Sequence, residues 1–114
     1  MVDDEPAQRF LLRRIFERAG HEVTDAGDGA AALRAVRESP PALVVTDMMM
    51  PVMGGDELIR RLRAEAATAG IPILAASGDP HLAVGADAVI TKPYKWEDLT
   101  KVADGLLRER RGAQ

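Results

Sequence analysis

The 114-residue sequence has no cysteine. A disulfide framework and thiolate chemistry are therefore excluded. Long hydrophobic runs are also absent. No stretch approaches the ~20 apolar residues of a membrane-spanning helix, and no signal-peptide pattern is visible. A cytoplasmic location and no membrane partner are expected. Charge of one sign is not in excess either. The formal net charge of −3 gives no electrostatic footprint for nucleic acid, and none is expected to bind this domain. Histidine is scarce: His21 and His81 are expected to be exposed, and neither has metal-ligand company. Internal repeats, linkers and low-complexity segments are missing.

What is present suits one globular domain. Hydrophobic residues make up 46% of the chain and charged residues 29%, enough to build a core within an ordinary domain length. The domain is expected over residues 1–110, with 111–114 fraying after the last helical turn. Residues 43–46, 71–76 and 87–91 are short aliphatic runs bounded by Pro or Gly, and they read as buried strands. Residues 21–26 alternate and read as a strand with a more exposed face.

Helical periodicity fills the intervals. Residues 6–19 place Phe10, Leu11, Ile15 and Ala19 on one side, and Gly20 stops the helix. Residues 29–38 turn Ala32, Leu33 and Val36 inward before Pro40 and Pro41. Residues 55–67 align Leu58, Ile59 and Leu62. Asp56 and Glu57 open that helix, and Arg60, Arg61 and Arg63 follow, which suits the helix dipole. Residues 96–110 use Leu99, Val102, Leu106 and Leu107, with Trp96 as a partly buried anchor. Met48, Met49 and Met50 read as packing or tolerated surface. Arg9, Arg13, Arg14 and Arg18 read as a solvated face.

Strands alternating with helices imply crossovers and a parallel sheet covered on both sides. Such sheets bind ligands at the carboxyl ends of their strands. Asp3, Asp4, Asp47, Ser77 and Lys92 each follow an apolar run and would meet there. Asp47 lies in "VVTDMMMP" (44–51), where a charge is costly unless something needs it. Three carboxylates with an ordinary pKa near ~3.9 all prefer to be ionised. Their repulsion requires a cation, and their oxygens suit Mg²⁺. With the Lys92 ammonium and the Ser77 hydroxyl, the set has the parts that stabilise a phosphoryl group in transfer. A carboxylate can itself be the nucleophile.

Four pieces, "VDDEP" (2–6), "VVTDMMMPVMGG" (44–55), "IPILAASG" (71–78) and "GADAVITKPY" (85–94), occur in order. Together they resemble the receiver (CheY-like) domain of bacterial two-component response regulators over almost the whole chain. The resemblance implies a flavodoxin-like, doubly wound parallel five-stranded sheet of order 2-1-3-4-5. It implies that Asp47 is the phosphoacceptor and that Mg²⁺ is held by Asp4, by Asp3 through water, by Asp47 and by the Met49 backbone carbonyl. It implies that Lys92 pairs with a phosphoryl oxygen, that Ser77 hydrogen-bonds one in the active state, and that the Lys92–Pro93 peptide is cis. Met50, Pro51, Gly54 and Gly55 match the family's turn into the third helix. The implied partners are a histidine kinase or phosphotransfer protein and a downstream protein. The chain would be a monomer or weak homodimer that catalyses its own phosphorylation and dephosphorylation, with no separate turnover substrate.

The chain departs from the family in three places. The opening strand is truncated to Met1 and Val2; either the natural start lies upstream, which is the expectation, or the domain tolerates a stub. Ser77 to Lys92 spans fifteen positions, so about two turns of a fourth helix are missing at ~3.6 residues per turn. "DPHLAV" is expected to form one turn or a loop, with Asp79-Pro80 as its start. The position of the family's switch aromatic is Val89. By the same resemblance, Met49 and Asp79 tune hydrolysis of the acyl phosphate. Met49 cannot position an attacking water by hydrogen bonding, whereas Asp79 could, and a modest intrinsic dephosphorylation rate is expected.

Other functions fit less well. A degenerate, unphosphorylated receiver acting as a binding or dimerisation scaffold is opposed by the retention of Asp3, Asp4, Asp47, Ser77 and Lys92 together. A metal-dependent phosphatase of similar topology would commonly use a second Asp where Met49 stands. A flavin module would need a phosphate-cradling, hydroxyl- and Gly-rich loop after the first strand, and there is none.

Overall fold

Two helices cover each face of a short parallel sheet in the computed structural model, which describes residues 1–112. The elements run α1 (Pro6–Arg18), α2 (Gly29–Glu38), β1 (Val44–Asp47), α3 (Gly55–Ala64), β2 (Ile73–Ser77), a single 3-10 turn (Pro80–Leu82), β3 (Ala88–Thr91) and α4 (Trp96–Gly112). The last helix is assigned through Gly112. Residues 113–114 of the tail expected to fray lie outside the described residues.

The strands pair in parallel in the order β1-β2-β3, with Val44 opposite Ile73 and Leu74 opposite Ala88. The two strands expected before them are reduced to single bridges. Val2 bridges Ala26 on one side and Thr46 on the other, both in parallel. Its N–H donates to Val45 O at 2.8 Å, and its carbonyl accepts the Asp47 N–H at 2.9 Å. Across the sheet the segments therefore follow the 2-1-3-4-5 order. Residues 21–25 do not form the expected strand, and the opening segment pairs with this stretch through the single Val2–Ala26 bridge. A backbone without a partner has no ladder to join. The Met1 ammonium donates to Thr24 O at 3.0 Å. Burial lowers its pKa to about 6, with Asp25 pulling the other way.

Every residue of β1 and β2 is buried, as a doubly covered sheet requires. One core cluster joins Val2, Val44 and Met48 to Ala32, Leu33 and Val36 of α2 and to Leu58, Ile59 and Leu62 of α3. The other joins Val45 and Leu74 to Leu12 and Phe16 of α1 and to Leu99, Ala103 and Leu106 of α4.

The phase of α1 corrects the sequence reading. Phe10 and Leu11 are exposed, at 61% and 51%, and Leu12 and Phe16 are buried. Apolar residues at 10, 11, 12, 15 and 16 cover more than one helix face, so a 3.6-residue period admits two rotations. The one adopted sets Leu12 and Phe16 on the sheet and brings Arg9 and Arg13 to Asp25. Those two arginines are thus paired, where a solvated face was expected. Trp96 is half exposed, and the buried stripe of α4 begins a turn later at Leu99. His21 is only partly exposed and lies 3.6 Å from Asp104.

Local signals set the other helix ends. Pro6 occupies the first turn of α1. Asp28 caps α2 by accepting the Ala31 N–H at 2.8 Å. Gly20 follows α1 at φ +96°, a conformation glycine takes freely.

The shortened link between β2 and β3 follows α3 closely. The Arg63 guanidinium replaces the packing of a helix with hydrogen bonds. It donates to Gly85 O (3.0 Å), Ala69 O (2.7 Å), Ile71 O (2.8 Å) and Asp87 Oδ2 (2.6 Å). The same Asp87 oxygen accepts the Ile73 N–H at 2.7 Å. Gly85, at φ +92°, lies so near α3 that a β-carbon would sit 3.0 Å from Ile59 Cγ2.

Candidate functional site

The parallel register brings the ends of the chain segments to one rim. Asp47 ends β1 and is buried, with 8% exposure. Its Oδ1 accepts Lys92 Nζ at 2.8 Å and the Met48 N–H at 2.7 Å, with the Met49 N–H farther away at 3.5 Å. Its other oxygen accepts no hydrogen bond among the described residues. Lys92 follows β3, where its own N–H donates to Ser77 O at 2.9 Å. The Lys92–Pro93 peptide is cis.

Asp3 follows the Val2 bridge and is 5% exposed. Its Oδ1 accepts the Glu5 N–H at 2.9 Å, and its carbonyl accepts Arg9 Nη1 at 2.8 Å. Asp4 is exposed beside it. One carboxylate oxygen from each of Asp3, Asp4 and Asp47 lies within 4.8 Å of the other two. Bonds of ~2.0–2.1 Å span at most about 4.2 Å between two directly bound oxygens, so an ion here would reach the widest of these separations through a bound water. The donors are hard and anionic, which suits Mg²⁺ or a similar ion. The Met49 carbonyl accepts no hydrogen bond among the described residues, and its side chain is 74% exposed. Met48 is buried in the α2–α3 core and Met50 packs against it.

The charges at this rim act on one another. Burial raises the Asp3 pKa, and the charges on Asp47 and Asp4 add to this. The Glu5 N–H and Lys92 oppose it. Burial would lower the Lys92 pKa, but its hydrogen bond to Asp47 and the charges of Asp47 and Asp3 carry it upward. The ammonium is thereby held protonated beside the carboxylates.

Ser77 is brought to the rim but is turned away. Its hydroxyl donates to Asp79 O at 2.7 Å and accepts the Asp79 N–H at 3.0 Å. The Asp79 carboxylate accepts the His81 N–H at 3.0 Å, at the start of the 3-10 turn. So Asp3, Asp4, Asp47 and Lys92 converge, and Ser77 closes its own loop. Val89 packs against the α2–α3 cluster.

Several supporting residues escape a reading of the sequence. A β-carbon on Gly55 would stand 2.4 Å from Asp47 O, so only glycine lets α3 start against the end of β1. The paired glycines after the acidic strand are a visible signal of this. Gln8 Nε2 donates to Tyr94 Oη at 3.1 Å, tying α1 to the segment after Lys92. Burial raises the Tyr94 pKa. These two residues are 86 positions apart, and no local pattern links them. Arg9, which holds the backbone of Asp3, looks like any other arginine of a charged helix.

Among the described residues, no helix is long and apolar enough to cross a membrane. A family model for the response regulator receiver domain matches residues 1–104. The DNA-binding response regulator MtrA of Mycolicibacterium smegmatis is 37% identical over 95% of this chain. The match spans 49% of that relative, so the chain is about half its length. Among solved structures, the chemotaxis response regulator CheY4 of Vibrio cholerae aligns with a TM-score of 0.85 at 29% identity, covering 92% of this chain and 93% of that one. The signal receiver domain of a histidine kinase from Syntrophus aciditrophicus aligns at 0.87 and 32% identity, covering 95% and 87%. With the acidic rim, the parallel sheet and the family match in agreement, the chain belongs to the CheY-like receiver domains of two-component response regulators.

Proposed function

We propose that Asp47 accepts a phosphoryl group from a phosphohistidine of a kinase or phosphotransfer protein, and that the phosphorylated chain signals through contacts with a downstream protein. The observation that carries this reading is the treatment of the two Asp47 oxygens. One is held by Lys92 Nζ and the Met48 N–H. The other accepts no hydrogen bond among the described residues, and the Asp47 carboxylate lies in the cluster with Asp3 and Asp4.

In the proposed step the unbonded Asp47 oxygen attacks phosphorus and forms an O–P bond. The P–N bond of the donor breaks, its electron pair returns to the imidazole, and the ring is protonated as it leaves. Lys92 neutralises charge on a phosphoryl oxygen. Asp3, Asp4, Asp47 and the Met49 carbonyl are the groups that would hold Mg²⁺, which when bound supplies charge neutralisation at the phosphoryl oxygens. Hydrolysis returns the carboxylate and releases phosphate. One Asp79 carboxylate oxygen accepts the His81 N–H and Met49 offers no hydrogen bond to water, which supports a modest rate for this return step.

The test is incubation with Mg²⁺ and acetyl phosphate, followed by intact-protein mass. A single phosphoryl adduct that Asp47→Asn abolishes supports the reading. No adduct on folded protein leaves a non-phosphorylated scaffold instead. Steady release of phosphate from added monoesters points to a phosphatase and also overturns it.

A further inference from the structure

Val52 is the one non-glycine residue with a positive φ among the described residues, at +68°. For a β-branched side chain that conformation is strongly disfavoured. Val52 also centres a three-residue turn, because the Met53 N–H donates to Pro51 O at 2.7 Å. The sign of φ makes this the rare and strained form of the γ-turn rather than its inverse. Packing does not offset the strain, since the Val52 side chain is 84% exposed. The cause lies at the ends of the loop. Met48 and Met53 are both buried, and their carbonyls accept the Gly55 and Gly29 N–H groups at 3.0 and 3.1 Å. Residues 49–52 must close the path between these two fixed points. Pro51 has its own φ locked, and the sharp reversal falls on Val52.

The same loop begins at the acidic rim. The Met48 N–H reaches Asp47 Oδ1 at 2.7 Å, and the Met49 N–H lies 3.5 Å from it. The Met49 peptide has that one long hydrogen bond, and its carbonyl accepts none among the described residues. Its orientation therefore depends on the path of the chain on either side. We propose that Val52 is a positioning residue, whose strained turn holds the Met49 peptide beside Asp47 in the orientation that Mg²⁺ needs. This rests on the functional reading above, in which the Met49 carbonyl is one of the groups that would hold the ion. Strained backbone persists where the surroundings over-determine it, and such strain belongs to sites set in advance for a ligand. Glycine takes either sign of φ, so at position 52 it relieves the strain and frees the loop together. Stability and metal affinity then move in opposite directions. A role in folding alone would move them the same way.

The test compares the parent chain with Val52→Gly and Val52→Thr. Tm is read in the presence of a chelator, and affinity is read by calorimetric titration with Mg²⁺ alone. Val52→Gly is expected to raise the metal-free Tm by about 3 °C and to weaken Mg²⁺ binding at least about threefold. Val52→Thr keeps a β-branched side chain at the turn and should match the parent in both. A raised Tm with unchanged Mg²⁺ affinity in Val52→Gly overturns the proposal, because the strain is then local to the turn. A lowered Tm overturns it too, because the turn then stores no strain. Equal weakening of Mg²⁺ binding in Val52→Thr assigns the effect to the side chain and also overturns it. Absence of Mg²⁺ binding by the parent chain overturns the metal site itself, an outcome distinct from binding that Val52→Gly leaves untouched.

Discussion

Lys92 Nζ donates to Asp47 Oδ1 across 2.8 Å, from the end of β3 to the end of β1. The middle strand of the sheet separates them, so the bond depends on both registers being correct. The same contact orients the carboxylate and offsets part of its charge.

Lys92→Ala is expected to slow phosphorylation by acetyl phosphate about 100-fold, the scale of losing one preorganised electrostatic donor. Stability should fall by about 1–3 kcal/mol, because the Lys92 side chain is 40% exposed but its partner Asp47 is buried and loses a charged donor. Adduct formation followed by mass gives the rate. An unchanged rate removes Lys92 from the reaction.

Asp3→Asn should separate metal binding from folding. The asparagine keeps an oxygen for the Glu5 N–H but removes one of three charges within 4.8 Å of one another. In metal-free buffer the variant should be more stable, by about 1 kcal/mol. Added Mg²⁺ should raise the Tm of the parent chain by linkage and that of the variant much less. A chelator reverses the first effect. Equal responses of the two proteins to Mg²⁺ would remove Asp3 from the metal site.

Ser77→Ala tests a hydroxyl that points elsewhere. Both of its hydrogen bonds go to the Asp79 backbone. The expected outcome is loss of about 1 kcal/mol of stability, with phosphorylation by acetyl phosphate changed less than about threefold. A tenfold slower reaction would show that the hydroxyl swings to the phosphoryl group during transfer.

Arg63→Ala removes the clamp on the shortened link. Ala69, Ile71, Gly85 and Asp87 all lose a donor. The expected cost is about 2–3 kcal/mol in urea unfolding, moderated because the side chain is 25% exposed. Arg63→Lys should recover little, because one ammonium cannot reproduce a planar fork of donors. A cost below about 0.5 kcal/mol would mean that the link is held by packing alone.

The Arg37–Glu65 pair gives a pH signature. Its hydrogen bond with Arg37 holds the Glu65 carboxyl below its ordinary 4.5. The folded state therefore binds the proton more weakly than the unfolded one. The contribution is fully present above about pH 4.5 and is lost as pH falls through the lower folded value. Glu65→Gln should flatten that acid limb, and salt should do the same because the pair is on the surface. An unchanged acid limb in the variant would assign the slope to other carboxylates.

Where structure follows from near neighbours, the sequence is readable. The residues of α2 match the expected span from Gly29 to Glu38 because a cap and two prolines bound it. Leu58, Ile59 and Leu62 are buried as their spacing implies. The acidic pair, Asp47 and Lys92 could be gathered on one rim because strand polarity in a parallel sheet leaves few alternatives. The single turn after Asp79 follows from simple shortage of residues. The rotation of α1 did not follow, because five apolar residues on two faces satisfy either choice. Nor did the fate of residues 21–26, whose alternation is that of a strand.

Sequence alone determined the element order, the apolar stripes and the chemistry available at the strand ends, since these depend on residue type and spacing along the chain. Only the tertiary structure decided that Ser77 turns to Asp79, that Arg63 stands in for a helix and that residues 21–25 join no strand ladder. Each of these is settled by which backbone groups lie within hydrogen-bond reach, and that distance depends on segments far apart in the chain.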